Sequence, residues 1–127
     1  MPTALSHLFV AVRDLSATHR FYVELLGLEV LMGSAEAGYL RVGGGGGFHI
    51  GFEAHPDDAV PTPGIELVVR VDDVDAVHAR LVGEGITFEG PPADQSWGSR
   101  HAWLRDPAGY RLSIYSASSD SASSEDR

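Results

Sequence analysis

The chain contains no cysteine, which removes disulfides and thiolate chemistry from consideration. No apolar run approaches the ~20 residues of a bilayer-crossing helix. The N-terminus also lacks the basic-then-apolar order of a secretory leader, so the expected location is the cytoplasm and no membrane partner is expected. Basic charge is scarce: 9 Lys+Arg stand against 18 Asp+Glu, for a formal net charge of −9. The basic residues are scattered rather than gathered into a stripe, and such a chain repels phosphate backbones, so nucleic acid is not an expected partner. Cationic small molecules would feel a weak attraction. With 127 residues there is material for one domain with a real core and too little for two.

What is present has a repeated grammar. Residues Leu5 to Val12 are apolar and rich in strand formers. Asp14 then stands as an N-cap, and Leu15, Thr18, Phe21, Tyr22, Leu25 and Leu26 recur at helical spacing until Gly27. Strands are expected from Leu28 to Gly33, Glu36 to Val42 and Gly47 to Glu53. The glycine run Gly43 to Gly47 reads as a hairpin connection. No Lys-Ser/Thr follows it, and a strand rather than a helix comes next, so it lacks the parts of a phosphate loop. Residues 54–63, with Pro56, Pro61 and Pro63, form a linker. The order then restarts with a strand at Ile65 to Val71, the N-cap Asp73, and a helix carrying Val74, Val77 and Leu81. A short strand at Ile86 to Glu89 and a loop from Gly90 to Ser99 follow, then strands at Arg100 to Arg105 and Tyr110 to Tyr115. The Ser/Asp-rich residues 116–127 have nothing to bury and are expected to be disordered. One domain over 1–115 follows, built from modules 5–53 and 64–115.

The two modules also share residues. An offset of 59 aligns Val12 with Val71, Asp14 with Asp73 and His19 with His78, and an offset of 64 aligns Leu40-Arg41 with Leu104-Arg105 and Ile50 with Ile114. Strand alternation assigns faces. His7, Phe9, Tyr39, Arg41 and His49 fall on the side away from the helix in the first module. Glu66, Arg70, Trp103, Arg105, Ser113 and Tyr115 do so in the second. An aromatic-rich wall with a few polar groups is the usual make-up of a ligand site. By the same offsets His7 is the counterpart of Glu66 and His49 of Ser113. Two histidines and a carboxylate, His7, His49 and Glu66, have the composition of a metal triad. Each also has a structural reading, since Glu66 can pair with Arg70 or Arg41. His19 and His78 are read as helix-surface residues, and His55 lies in the linker.

The stretch His7 to Val12, then Asp14-Leu15, Phe21-Tyr22 and Leu26-Gly27-Leu28, resembles the opening of the vicinal oxygen chelate superfamily. In the second half Val71 to Ala76, Trp97-Gly98 and Asp106 to Tyr110 resemble it as well. That superfamily includes glyoxalase I, bleomycin-resistance proteins, fosfomycin-resistance enzymes and extradiol dioxygenases. The resemblance spans residues 5 to 115 and implies an α+β fold. Two βαβββ modules would form a curved, mixed eight-stranded sheet around a cleft, usually in a homodimer. It also implies metal ligands at His7, His49, Glu66 and the position of Ser113. A typical member carries a glutamate where Ser113 stands, and serine is a poor ligand.

Two functions follow from the resemblance and the wall together. On the favoured reading the protein binds and sequesters an aromatic or cationic organic compound such as an antibiotic, and no cofactor is expected. Phe9, Tyr39, Arg41, His49, Arg70, Trp97, Trp103, Arg105, Ser113 and Tyr115 would then contact the ligand. On the alternative a divalent metal (Zn, Ni, Mn or Fe) held by His7, His49 and Glu66 would serve a glyoxalase-like lyase or isomerase, or a ring-cleaving dioxygenase. No catalytic residue is assigned on either.

Overall fold

A computed structural model describes residues 3–118 and divides into two compact units that part between Pro61 and Thr62. Each unit is a four-stranded mixed sheet backed by a helix, the α+β arrangement that the duplicated sequence predicts. Among the described residues no helix is long and apolar enough to cross a membrane.

The first unit opens with β1 (Leu8–Val12). Asp14 ends it, and its carboxylate accepts the Ala17 N–H at 3.1 Å to start α1 (Leu15–His19). The helix widens into a π-helical stretch over Arg20–Leu25 and closes at Gly27, whose φ of +83° a side chain would resist. Strands β2 (Glu29–Ser34), β3 (Tyr39–Gly43) and β4 (His49–Ala54) follow, and the spatial order is β1-β4-β3-β2. Only β1 and β4 run parallel. The glycine run joins β3 to β4 as a hairpin connection, with Gly45, Gly46 and Gly47 all at positive φ. Val10, Val12, Leu40, Val42, Ile50 and Phe52 from the sheet are buried, as are Leu15, Phe21 and Tyr22 from the helix. Tyr22 packs its ring 4.8 Å from that of Phe52.

The second unit repeats the plan with β5 (Glu66–Arg70), α2 (Val74–Gly83), β6 (Ala93–Asp94), β7 (Ser99–Arg105) and β8 (Arg111–Ala117), in the order β5-β8-β7-β6. Asp73 caps α2 as Asp14 caps α1. Leu67, Ala102, Leu104, Leu112 and Ile114 are buried along with Val74 and Leu81 of the helix.

Three expectations are corrected here. Ile86 to Glu89 is not a strand. Phe88 makes one isolated bridge to Leu104, and the fourth strand is instead the two-residue β6, inside the expected loop. Ser116 and Ala117 are not tail but the end of β8, and Ser116 is buried where its hydroxyl accepts the Val74 N–H. Residues 119–127 of the expected tail lie outside the described residues.

The third correction concerns pairing. Leu8 pairs with Ile50 in the first unit, but its counterpart Leu67 pairs with Leu112. Ile50 therefore corresponds to Leu112, and His49 to Arg111 rather than to Ser113. Glu66 accordingly sits beside Arg111, and Ser113 between Val68 and Trp103.

Candidate functional site

In the first unit the helix-free face is built by every second residue of β1, β3 and β4. Gly51 at its centre is flanked by Phe9 on β1 and Arg41 on β3. A Cβ at Gly51 would strike the phenol oxygen of Tyr39, so the missing side chain is what lets Tyr39 lie across the sheet. The Arg41 guanidinium donates to that oxygen from Nε at 3.1 Å and from Nη2 at 3.0 Å. Nη2 also lies 3.2 Å from His7 Nε2. A guanidinium only donates, so His7 accepts through Nε2 and carries its proton on Nδ1, which faces Ser6 Oγ at 2.9 Å. Phe9 is exposed, with its ring edge-on to His55 at 6.3 Å. His49 is half-buried at the start of β4, opposite Gly43.

In the second unit the corresponding face is an aromatic row. His101 is buried and stacks on Tyr115 (centroids 5.0 Å apart, planes 12°) and on Trp103 (5.1 Å, 20°). Trp97, on the loop before β7, meets His101 edge-on at 5.5 Å and points its indole N–H toward Nε2 at 3.4 Å. Trp103 donates its own N–H to Glu66 at 3.1 Å. The other Glu66 oxygen accepts from Arg111 at 3.2 Å, while the Arg111 guanidinium covers the Trp103 ring at 5.4 Å and also grips Glu89. The hydrogen bond from Arg111, helped by its charge, holds the Glu89 carboxyl below its ordinary range. A cavity of about 190 Å³ opens against Val68, Ser99, His101 and Tyr115. Ser113 is buried, and its hydroxyl has no hydrogen-bond partner among the described residues.

The expected wall residues therefore separate by unit. His7, Tyr39 and Arg41 come together in the first; Glu66, Trp103, Ser113 and Tyr115 share the second, with Trp97 beside them. Arg105 spends its guanidinium on the Gly109 carbonyl of its own turn, and Arg70 is exposed at the end of β5. His101, at the centre of the row, was not among the expected site residues. Strand alternation places it two positions before Trp103 and so on the same face. Arg111 was likewise not among the expected site residues, although alternation places it two positions before Ser113 and so on the same face.

Within either unit, among the described residues, no three His, Asp or Glu side chains gather into a group able to hold a metal. The donor atoms are also engaged. The His7 Nε2 lone pair takes an N–H from Arg41, and both Glu66 oxygens accept from Arg111 and Trp103. A divalent cation at His7 Nε2 would have to displace Arg41, and one at Glu66 would sit beside the Arg111 charge, so within each unit these residues as arranged do not fit a metal.

Residues 4–114 match the model of a family described as the glyoxalase/bleomycin resistance protein/dioxygenase superfamily. Among solved structures the chain is similar to TnmS3, an antibiotic binding protein from Streptomyces sp. CB03234, with 27% identity and a TM-score of 0.71 over 92% of this chain and 98% of that one. A glyoxalase/dioxygenase from Nostoc punctiforme shares the fold at TM-score 0.75 and 18% identity, over 93% of this chain and 99% of that one. A lactoylglutathione lyase from Agrobacterium tumefaciens shares it at 0.68 and 21%, over 91% and 94% respectively.

Proposed function

Since the chain belongs to the glyoxalase/bleomycin resistance protein/dioxygenase superfamily, we propose that it binds a planar aromatic organic compound, without chemistry, on the face bearing Trp103, His101 and Tyr115. The observation that carries this reading is the stacked row of three rings beside a cavity of about 190 Å³. A stacked aromatic pair contributes roughly 0.5–1.5 kcal/mol beyond the area it buries, so a ligand engaging several rings gains useful affinity with no metal. The row is also held in place before any ligand arrives. Glu66 fixes the Trp103 indole through its N–H, and Arg111 lies over the ring. Fixing these side chains in advance lowers the ordering cost of binding.

The antibiotic-binding relative supports sequestration of an antibiotic-like compound as the biological form of this activity. The metal-dependent reading has less support, because the metal-ligating atoms of His7 and Glu66 are already bonded.

The test is a tryptophan-fluorescence titration with 2-naphthol as the fused-ring probe, with and without a chelator. Binding should be the same in both conditions. Trp103→Ala should weaken it by ~1–3 kcal/mol, while His49→Ala does much less. Loss of binding on chelation, or no effect of Trp103→Ala, rejects the proposal.

A further inference from the structure

In the first unit Arg41 is a cation with no acid bonded to it among the described residues. All nine basic residues other than histidine are arginines, in a chain of net charge −9. In the second unit Arg100 is gripped by Asp75 and Asp94, and Arg111 by Glu66 and Glu89. Among the described residues Arg41 has no such partner, and its bonds go to a phenol and an imidazole. Two acids share this face, Glu29 opposite Gly43 and Glu53 opposite Tyr39; neither is bonded to Arg41 among the described residues, and Glu53 is bonded to His55 at 2.6 Å. Arg41 is only half-exposed, so its charge is less screened than that of a surface arginine.

The remaining donors of this cluster are the ones an oxyanion uses. Nη1 of Arg41 has no acceptor among the described residues. The Tyr39 oxygen already accepts two N–H groups from Arg41, so its own hydroxyl hydrogen is left to donate elsewhere. Tyr39 and His7 take up the Nε and Nη2 hydrogens and hold the guanidinium in place, which leaves the paired N–H groups of Nη1 to bind a carboxylate oxygen. The His7 tautomer supports this arrangement: by accepting from Nη2 it holds the guanidinium against the sheet without adding or removing charge.

We propose that Arg41, Tyr39 and His7 form a binding site for the carboxylate of a small organic acid. One full positive charge balances a monoanion. A phosphate dianion would leave net negative charge on a face that belongs to an acidic protein, so carboxylate is favoured over phosphate. This site is confined to the first unit and does not depend on what the aromatic row of the second unit binds.

The experiment follows the Arg41 Nε–Hε resonance of ¹⁵N-labelled full-length protein, assigned by its loss in Arg41→Gln, at constant ionic strength. Benzoate should shift it in a saturable way. Benzamide, the neutral analogue of the same shape, should bind at least about tenfold more weakly, the usual worth of a charge-assisted hydrogen bond. Calorimetry should show that Arg41→Gln lowers benzoate affinity to the level of benzamide. Tyr39→Phe, which keeps the ring and removes the hydroxyl, should weaken benzoate severalfold. Equal binding of benzoate and benzamide, unchanged benzoate affinity in Arg41→Gln, or tighter binding of inorganic phosphate than of benzoate would overturn the proposal.

Discussion

Gly51 decides what the first unit can display. The Tyr39 phenol occupies the space that a Cβ there would need, and the phenol is what Arg41 grips. Gly51→Ala should therefore expel Tyr39 from its place and cost about 1–3 kcal/mol, as overpacking does. Urea denaturation would measure the loss. In a Tyr39→Ala background the same substitution should cost much less, because the clashing group is gone. Glu89 offers a second test at this scale. Its carboxyl is held below the ordinary range by the Arg111 hydrogen bond, so the folded state favours the charged form. The stabilisation is present at neutral pH and is lost as pH falls below about 4, through the lowered folded-state value. Both partners are substantially exposed, so the effect is small, at most about 1 kcal/mol. Glu89→Gln should lower the neutral plateau of a stability-versus-pH curve by about that amount and leave stability at the acid end unchanged, so that the acid limb is shallower.

At the level of elements, most strands and both helices were legible because each carries its own local signal. Asp14 and Asp73 announce the helix starts, and alternation marks the strands. Ile86 to Glu89 misled because its apolar pattern reflects contact with Leu104 rather than a full ladder. Ser116 and Ala117 were misread because small polar residues look dispensable until a neighbour needs them. The Ser116 hydroxyl satisfies the first N–H of α2, a group that a helix cannot bond internally. Ser116→Ala should thus cost about 1–3 kcal/mol, the penalty for a buried donor left bare. Ending the chain after Tyr115 should cost more, since it also removes the last rung between Ser99 and Ala117. Thermal melts of both variants would measure this; unchanged midpoints would mean that the end of β8 is ornamental. Offsets in the repeat were harder to read. A slip of two residues keeps every side chain on its face while changing its neighbour. The wall was accordingly legible, but Glu66 was set against the wrong partner.

For the whole molecule the central question is whether a metal belongs to it. The triad of His7, His49 and Glu66 was inferred from composition and from the repeat, and neither carries information on where lone pairs point. His7 would have to release Arg41 before it could ligate, and Glu66 would have to ligate beside the Arg111 guanidinium. Either way a guanidinium stands next to the incoming cation. The net charge of −9 attracts divalent ions to the surface in general, so the measurement needs physiological salt, where such loose attraction is screened. Under those conditions protein purified without chelator should contain well under one equivalent of Zn, Ni, Mn or Fe by elemental analysis. His49→Ala should not change that content. Binding linkage gives an independent check: a ligand at 100 times its Kd stabilises the folded state by about 2.7 kcal/mol. An aromatic compound that occupies the row should raise the melting temperature accordingly, while added Zn or Ni should not. Near-stoichiometric metal in the wild type that disappears in His49→Ala would reverse the argument. It would mean that Arg41 and Arg111 give way to the ion, and that the protein is a metal-dependent member of its superfamily.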